Sequence, residues 1–264
     1  MSYPRKLQER RGLAFGFCVL LVEPLLRLLT RHRWIDGEKL PAHGGCVVAS
    51  NHVSHLDPFT FAHFVYGHGR IVRFLAKAEV FDLPLLGRLV RATGQIPVYR
   101  LTSDAQLAFR AAVKAVGEGK CVVVYPEGTI TREPDLWPMT GKTGAARIAL
   151  AAGVDVIPVA QWGPQDILAP YAKRPRLFPR KTMVVKAGDP VDLDDLRDLP
   201  LTPEVLREAT ARIMDAITHE LEDIRGATAP LVRYDTKTHG VRQIGNPNAP
   251  EKHRRRHHRT GESS

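Results

Sequence analysis

From Cys46 to Gly188 the chain repeats one pattern: a short, mainly apolar run, a polar break, then a stretch with helical spacing. The runs "CVVAS" (46–50), "IVRFLA" (71–76), "CVVVYP" (121–126), "VDVIPVAQW" (154–162) and "KTMVVKAG" (181–188) have the length of strands. The most apolar of them lack polar alternation, so both of their faces must be covered. Helical stretches available to cover them are "FTFAHFVYG" after Asp57-Pro58, "LPLLGRLVRATG" (83–94), "SDAQLAFRAAVKAVGEG" (103–119), "KTGAARIALAAG" (142–153) and residues 203–225. Asp57-Pro58 reads as an N-cap followed by a first-turn proline, and Ser103 with Gln106 as a capping box. "QIPVYR" (95–100) is extended, and Pro97 confines it to an edge or a strand end. The pattern predicts an α/β fold: a single domain, residues 34–225, with a mostly parallel central sheet flanked by helices.

The two ends differ from this middle. Residues 1–39 carry eight Lys/Arg against four Asp/Glu, and residues 226–264 eight against three, leaving 40–225 close to neutral within the total of +10. Positive charge at the extremities suits contact with an anionic surface. Residues 12–30, "GLAFGFCVLLVEPLLRLLT", are interrupted by Glu23, Pro24 and Arg27, which is too soon for a span of ~20 apolar residues. A signal peptide would fit the basic start, but no small-x-small cleavage site follows. The segment 1–33 is expected to be an amphipathic helix, or two half-helices hinged at Pro24, lying in the cytoplasmic membrane interface. The alternative is a buried core helix. Residues 226–264, with "GNPNAP" and "KHRRRHHR", read as a largely disordered basic tail. Cys18, Cys46 and Cys121 form neither a metal pattern nor a disulfide framework.

The chemistry concentrates at "NHVSHLD" (51–57), where an apolar strand ends in a polar cluster. On one helix His52 and Asp57 would point about 140° apart. Across a turn between strand and helix they can meet, the carboxylate taking the proton on one ring nitrogen and leaving the other as a base. This is the base-plus-orienter half of a catalytic triad. Ser54 lacks a nucleophile elbow, so the attacking hydroxyl is expected from the substrate. His52 and His55 have metal-compatible spacing, but no Cys partner or H-E-x-x-H accompanies them, and no metal is expected.

"NHVSHLD", "GQIPVYR" (94–100), "YPEGT" (125–129) and "VIPV" (156–159), in that order, resemble the glycerolipid acyltransferase family, specifically the 1-acylglycerol-3-phosphate acyltransferases. The resemblance covers roughly residues 30–190. It implies that His52 deprotonates an acceptor hydroxyl, which attacks the thioester of acyl-CoA or acyl carrier protein, and that Asp57 orients His52. It implies that Arg100 holds the acceptor phosphate and that Glu127, Gly128 and Thr129 shape the acceptor site. Lys77, in "KAEVF", matches a basic position that members often carry and is a second phosphate contact on that reading. Many members have arginine directly after P-E-G-T; here Ile130 stands there, so that either Arg132, two residues on, is the substitute or acceptor recognition differs. Lys142 is another possible anion contact.

The function expected is transfer of a fatty acyl group to lysophosphatidic acid, giving phosphatidic acid, at the cytoplasmic face of the cell membrane as a peripheral protein. No cofactor is expected, the acyl donor being a co-substrate, and the partners are membrane lipids, acyl-CoA or acyl carrier protein, and no nucleic acid. One alternative keeps the mechanism with a glycolipid or mannoside acceptor. A non-enzymatic alternative is a basic membrane-surface binding protein. "AKRPRLFPRK" (172–181), with five basic residues and no acid, faces anionic headgroups, the phosphates of CoA, or only solvent.

Overall fold

The computed structural model describes residues 5–7, 9–98 and 105–240. Helix α1 (Leu13–Leu29) leads directly into strand β1 (Thr30–Ile35). Strand β2 (Cys46–Ser50) and helix α2 (Asp57–Gly67) follow, then β3 (Val72–Lys77), two short helices α3 (Ala78–Phe81) and α4 (Leu86–Ala92), and β4 (Ile96–Val98). Helix α5 (Ala105–Gly117), β5 (Cys121–Val124), α6 (Gly144–Ala152), β6 (Val156–Trp162), the single turn α7 (Pro164–Ile167) and β7 (Lys181–Ala187) come next. The last elements are α8 (Asp194–Arg197) and α9 (Pro203–Arg225).

The strands form one sheet in the order β1-β7-β6-β2-β5-β3-β4. Every neighbouring pair is parallel except β6 with β7. β2, β5 and β6 occupy the centre, as their apolar runs predict. Successive side chains on a strand face opposite ways. Val47, Ala49, Val122 and Val124 therefore meet Ala112 and Val116 of α5, Ala145, Ala146 and Ala149 of α6, and Ile213 and Ile217 of α9. Cys46, Val48, Cys121 and Val123 meet Phe61, Phe64 and Val65 of α2, with Phe15 of α1 at the margin. Burying each large side chain of this kind contributes about 1.5–3 kcal/mol, and two covered faces make the sheet a rigid platform. Pro97 lies in β4, the edge strand, where its missing N–H leaves no central ladder bond unmade.

Three features depart from the sequence reading. Residues 30–33, placed in the N-terminal segment, belong to β1, so the boundary expected at 33/34 falls inside a strand. "TRHRWI" carries few apolar residues because β1 is an edge strand, paired only with β7. α1, by contrast, takes the first of its two expected forms, one helix with Pro24 inside it. Leu56, not Asp57, is the N-cap of α2, because the Asp57 carboxylate serves the turn before the helix. Residues 227–240 of the expected disordered tail pack on the domain. Arg233 binds Asp215 and Thr218 of α9, Tyr234 O accepts from Thr140 N at 2.9 Å, and the Tyr234 and His239 rings stack. These are aromatic and ionic contacts with no periodic signature. Ser103, and with it the capping box, lies outside the described residues, as do residues 241–264.

α1 has no buried residue. Leu13, Phe17, Leu20, Leu21, Leu25 and Leu28 are all more than half exposed, and Leu83, Leu85 and Leu86 around the start of α4 extend the apolar surface. Among the described residues no helix is long and apolar enough to cross a membrane.

Candidate active site

β2 and β5 are adjacent and parallel, so the loops that leave their carboxyl ends meet, as strand ends in open α/β sheets do. The first loop carries His52 and the second Glu127.

Asp57, the first residue of α2, is fully buried. Its Oδ2 accepts from Val53 N at 2.6 Å, Ser54 N at 2.9 Å and His52 Nδ1 at 2.7 Å. The two backbone N–H groups hold the carboxylate in place before histidine is considered. A carboxylate oxygen only accepts, so Nδ1 carries the proton and Nε2 keeps the lone pair. The imidazole lies flat on Tyr125, centroids 4.3 Å apart at 17°, and Tyr125 in turn lies parallel to Phe74. The ring is thus fixed by a hydrogen bond at one edge and a stack on one face.

The backbone of His52 is held by the second loop. Glu127 Oε1 accepts from His52 N at 3.1 Å, Glu127 Oε2 accepts from Met139 N at 3.0 Å, and Thr131 N donates to His52 O at 2.8 Å. Glu127 is buried, and burial pushes its pKa up to about 8 against the pull of those two N–H bonds. Gly128 turns the chain at φ 69°, the left-handed region that favours glycine, and a Cβ there would lie 2.8 Å from Lys142 Nζ. That places Lys142 beside the P-E-G-T turn.

Thr129 and Arg132 converge on Tyr171. Its hydroxyl lies 3.4 Å from Thr129 Oγ1 and from Arg132 Nε, and donates to Ile130 O at 3.1 Å. Ile130 is buried. Lys77, at the carboxyl end of β3, is half exposed and pairs with Glu79 at 2.9 Å. Arg100 lies outside the described residues. The structure therefore joins His52, Asp57 and Glu127 in one bonded unit, groups Thr129 with Arg132, and leaves Lys77 on the same edge of the sheet in its own ion pair.

Three supporting residues escaped the sequence reading. Asn51 and Gln161 bond reciprocally: Asn51 Nδ2 donates to Gln161 O, Gln161 N to Asn51 Oδ1, and Gln161 Nε2 to Asn51 O. They tie the start of the 51–57 turn to β6 across 110 positions. Tyr125 is the third; an aromatic at the end of an apolar run carries no signal of what it will stack on. Ser54 is buried and donates its hydroxyl proton to Leu168 O at 2.7 Å, a brace for the turn.

A family model described as Acyltransferase matches residues 32–162, the stretch that holds every residue of this unit. The chain belongs to the acyltransferase family. A "1-acyl-sn-glycerol-3-phosphate acyltransferase" of Bacillus subtilis is 24% identical over 80% of this chain and 96% of its own length. A "Lyso-ornithine lipid O-acyltransferase" of Pseudomonas aeruginosa is 35% identical over 37% of this chain and 39% of its own. Coverage of the relatives' own lengths thus varies widely, and falls to 37% for a plastid relative. The solved structure of the 1-acyl-sn-glycerophosphate (LPA) acyltransferase PlsC from Thermotoga maritima covers 81% of each chain with a TM-score of 0.60. At 22% identity that likeness shows the fold.

Proposed function

We propose that this acyltransferase-family protein moves a fatty acyl group from acyl-CoA or acyl carrier protein to the free hydroxyl of lysophosphatidic acid, giving phosphatidic acid. The observation that carries the reading is the 2.7 Å bond from His52 Nδ1 to a fully buried Asp57. It prepares Nε2 to receive a proton. As the acceptor hydroxyl gives up its proton to Nε2, its oxygen bonds to the thioester carbonyl carbon. The C–S bond then breaks, and the imidazolium returns the proton to the departing thiolate. Asp57 supports the imidazolium while it exists. Arg100 and Lys77 are the proposed phosphate contacts, with Arg132 in the place of the arginine that Ile130 displaces. Glu127, by contrast, is proposed to hold the His52 backbone rather than touch the acceptor.

The exposed apolar side chains of α1, flanked by Arg5, Lys6, Arg10, Arg11, Arg31 and Arg33, support a seat on an anionic, cytoplasmic membrane surface, where both lipid substrate and product reside.

A second reading keeps the reaction and changes the acceptor to another lysolipid. The lyso-ornithine name of the Pseudomonas relative favours it, as does the burial of Ile130 where many members carry arginine. Thiol release from acyl-CoA, followed with purified protein and a panel of lysolipids, separates the two. Lysophosphatidic acid is expected to be used best. His52→Ala is expected to lower turnover by roughly 10²–10⁴-fold without loss of fold. A His52→Ala protein that turns over near the parent rate would sink the mechanism.

A further inference from the structure

Between α7 and β7 the chain loops out and back around an open cavity of about 790 Å³. Lys173, Arg174, Arg176 and Lys181 line it, against the single carboxylate of Asp166. Among the described residues none of these four cations forms an ion pair with a carboxylate. Surface cations alone do not define a site, but the wall of this cavity contains Gln165, only 7% exposed. Gln165 Oε1 accepts from Gly163 N at 2.8 Å, which fixes the direction of the amide. Gly163 is itself fixed: φ is 112°, and a Cβ would lie 2.1 Å from Thr182 O. Gln165 Nε2 is buried, and among the described residues no acceptor bonds it. A buried, oriented N–H donor without an acceptor is costly unless something supplies an oxygen.

The position of the cavity says what kind of ligand that oxygen belongs to. Its floor includes Ile167, and Leu168 O next along accepts from Ser54 Oγ, whose own N–H bonds Asp57. Beside its lining residue Lys181, Arg180 donates to Arg27 O and Thr30 O at the end of α1. The cavity thus lies between the catalytic turn and the apolar helix. It offers one amide donor without an acceptor among the described residues, four cations and an apolar lining from Ile167 and Pro175. That set matches a phosphate ester, whose oxygens accept from an amide and draw Lys and Arg.

We propose that this cavity is a phosphate-ester binding site, with Gln165 Nε2 as its directed donor and Lys173, Arg174 and Arg176 as its electrostatic rim. The site rests on the acyl-transfer reading only for which substrate carries the phosphate. Its source is either the nucleotide end of the acyl donor or a lipid headgroup, and different probes separate these.

Binding of adenosine 3′,5′-bisphosphate, of sn-glycerol 3-phosphate, and of phosphatidylcholine vesicles with and without phosphatidylglycerol is measured on the full chain by calorimetry and sedimentation. One probe is expected to bind, and to weaken about tenfold both in Gln165→Leu and in Arg174→Ala/Arg176→Ala. Preference for the bisphosphate assigns the site to the donor; preference for glycerol phosphate or anionic vesicles assigns it to a headgroup. If Gln165→Leu melts early, the double arginine variant decides alone. Failure of every probe to bind the parent protein, or equal binding by the variants, overturns the site. Thiol release that still depends on His52 would show that only the site has failed, whereas binding without thiol release would show the reverse.

Discussion

The turn that carries His52 and Asp57 and helix α1 treat their chemical groups in opposite ways. In the turn, polar groups are bonded to one another: Asp57 Oδ2 takes three donors, the His52 N–H and C=O are both bonded, and Asn51 is matched to Gln161, while the buried Asp57 Oδ1 and Gln161 Oε1 take no donor among the described residues. In α1 no residue is fully buried; Phe15 packs at the margin of the core, while Leu13, Phe17, Leu20, Leu21, Leu25 and Leu28 face outward. A rigid polar unit can hold one proton-transfer geometry, while an uncovered apolar helix can serve a surface that is not protein. The contrast with α9 is equally sharp. That helix buries Ile213, Ile217 and Leu221 completely and is capped by Thr202 and Gly226, as a structural helix should be.

The sharpest way to break this contrast is Asp57→Asn. The amide keeps the shape but removes the negative charge opposite the imidazolium, so kcat is expected to fall by roughly 10²–10⁴-fold with little change in melting temperature. An unchanged kcat, read from thiol release, would mean that the turn is structural.

Glu127 tests how far stability depends on the clamp. Its pKa is about 8 in the folded protein against an ordinary value of 4.5, so folding takes up a proton between those values. Stability is therefore expected to fall as pH rises from about 5 to about 8, the unfolded chain having lost the proton that the native state retains. Glu127→Gln is expected to flatten that dependence in thermal melts. It would also cost about 1–3 kcal/mol, because an amide N–H replaces one acceptor facing a backbone N–H.

On the α1 side, Leu20→Ser/Leu25→Ser/Leu28→Ser is expected to leave the melting temperature unchanged, since none of these side chains is buried. It is expected to weaken sedimentation with anionic vesicles by about tenfold or more, from lost apolar burial. A lower melting temperature with unchanged vesicle binding would make α1 a structural helix like α9. The smallest effect is expected for Tyr125→Phe, which keeps the ring under His52; kcat and stability should shift by less than about 1.5 kcal/mol, measured by the same assays.

Much of this was legible in the sequence because the signals were local. Apolar runs too long to alternate had to be central strands, and β2, β5 and β6 are the three adjacent strands at the centre. The pairing of His52 with Asp57 followed from a strand ending and a helix beginning five positions apart. Other features had no local signal. β1 reads as polar because an edge strand is only partly covered. Glu127 sits in a loop that suggests an exposed acceptor contact, yet it turns inward, because His52 N and Met139 N need an acceptor there. Residues 227–240 look like a tail but pack through Arg233 and Tyr234.

The sequence by itself determined the alternation of strands and helices, the local turn that brings base and carboxylate together, and the amphipathic start of the chain, since each depends on residues only a few positions apart. Only the tertiary structure decided that one apolar face of α1 stays uncovered, that Tyr125 lies beneath His52, and that Gln165, its Nε2 without an acceptor among the described residues, sits in the wall of a basic cavity. Those outcomes depend on which distant segments the sheet order places side by side, and a side chain's final partners are fixed by that packing rather than by its neighbours in the chain.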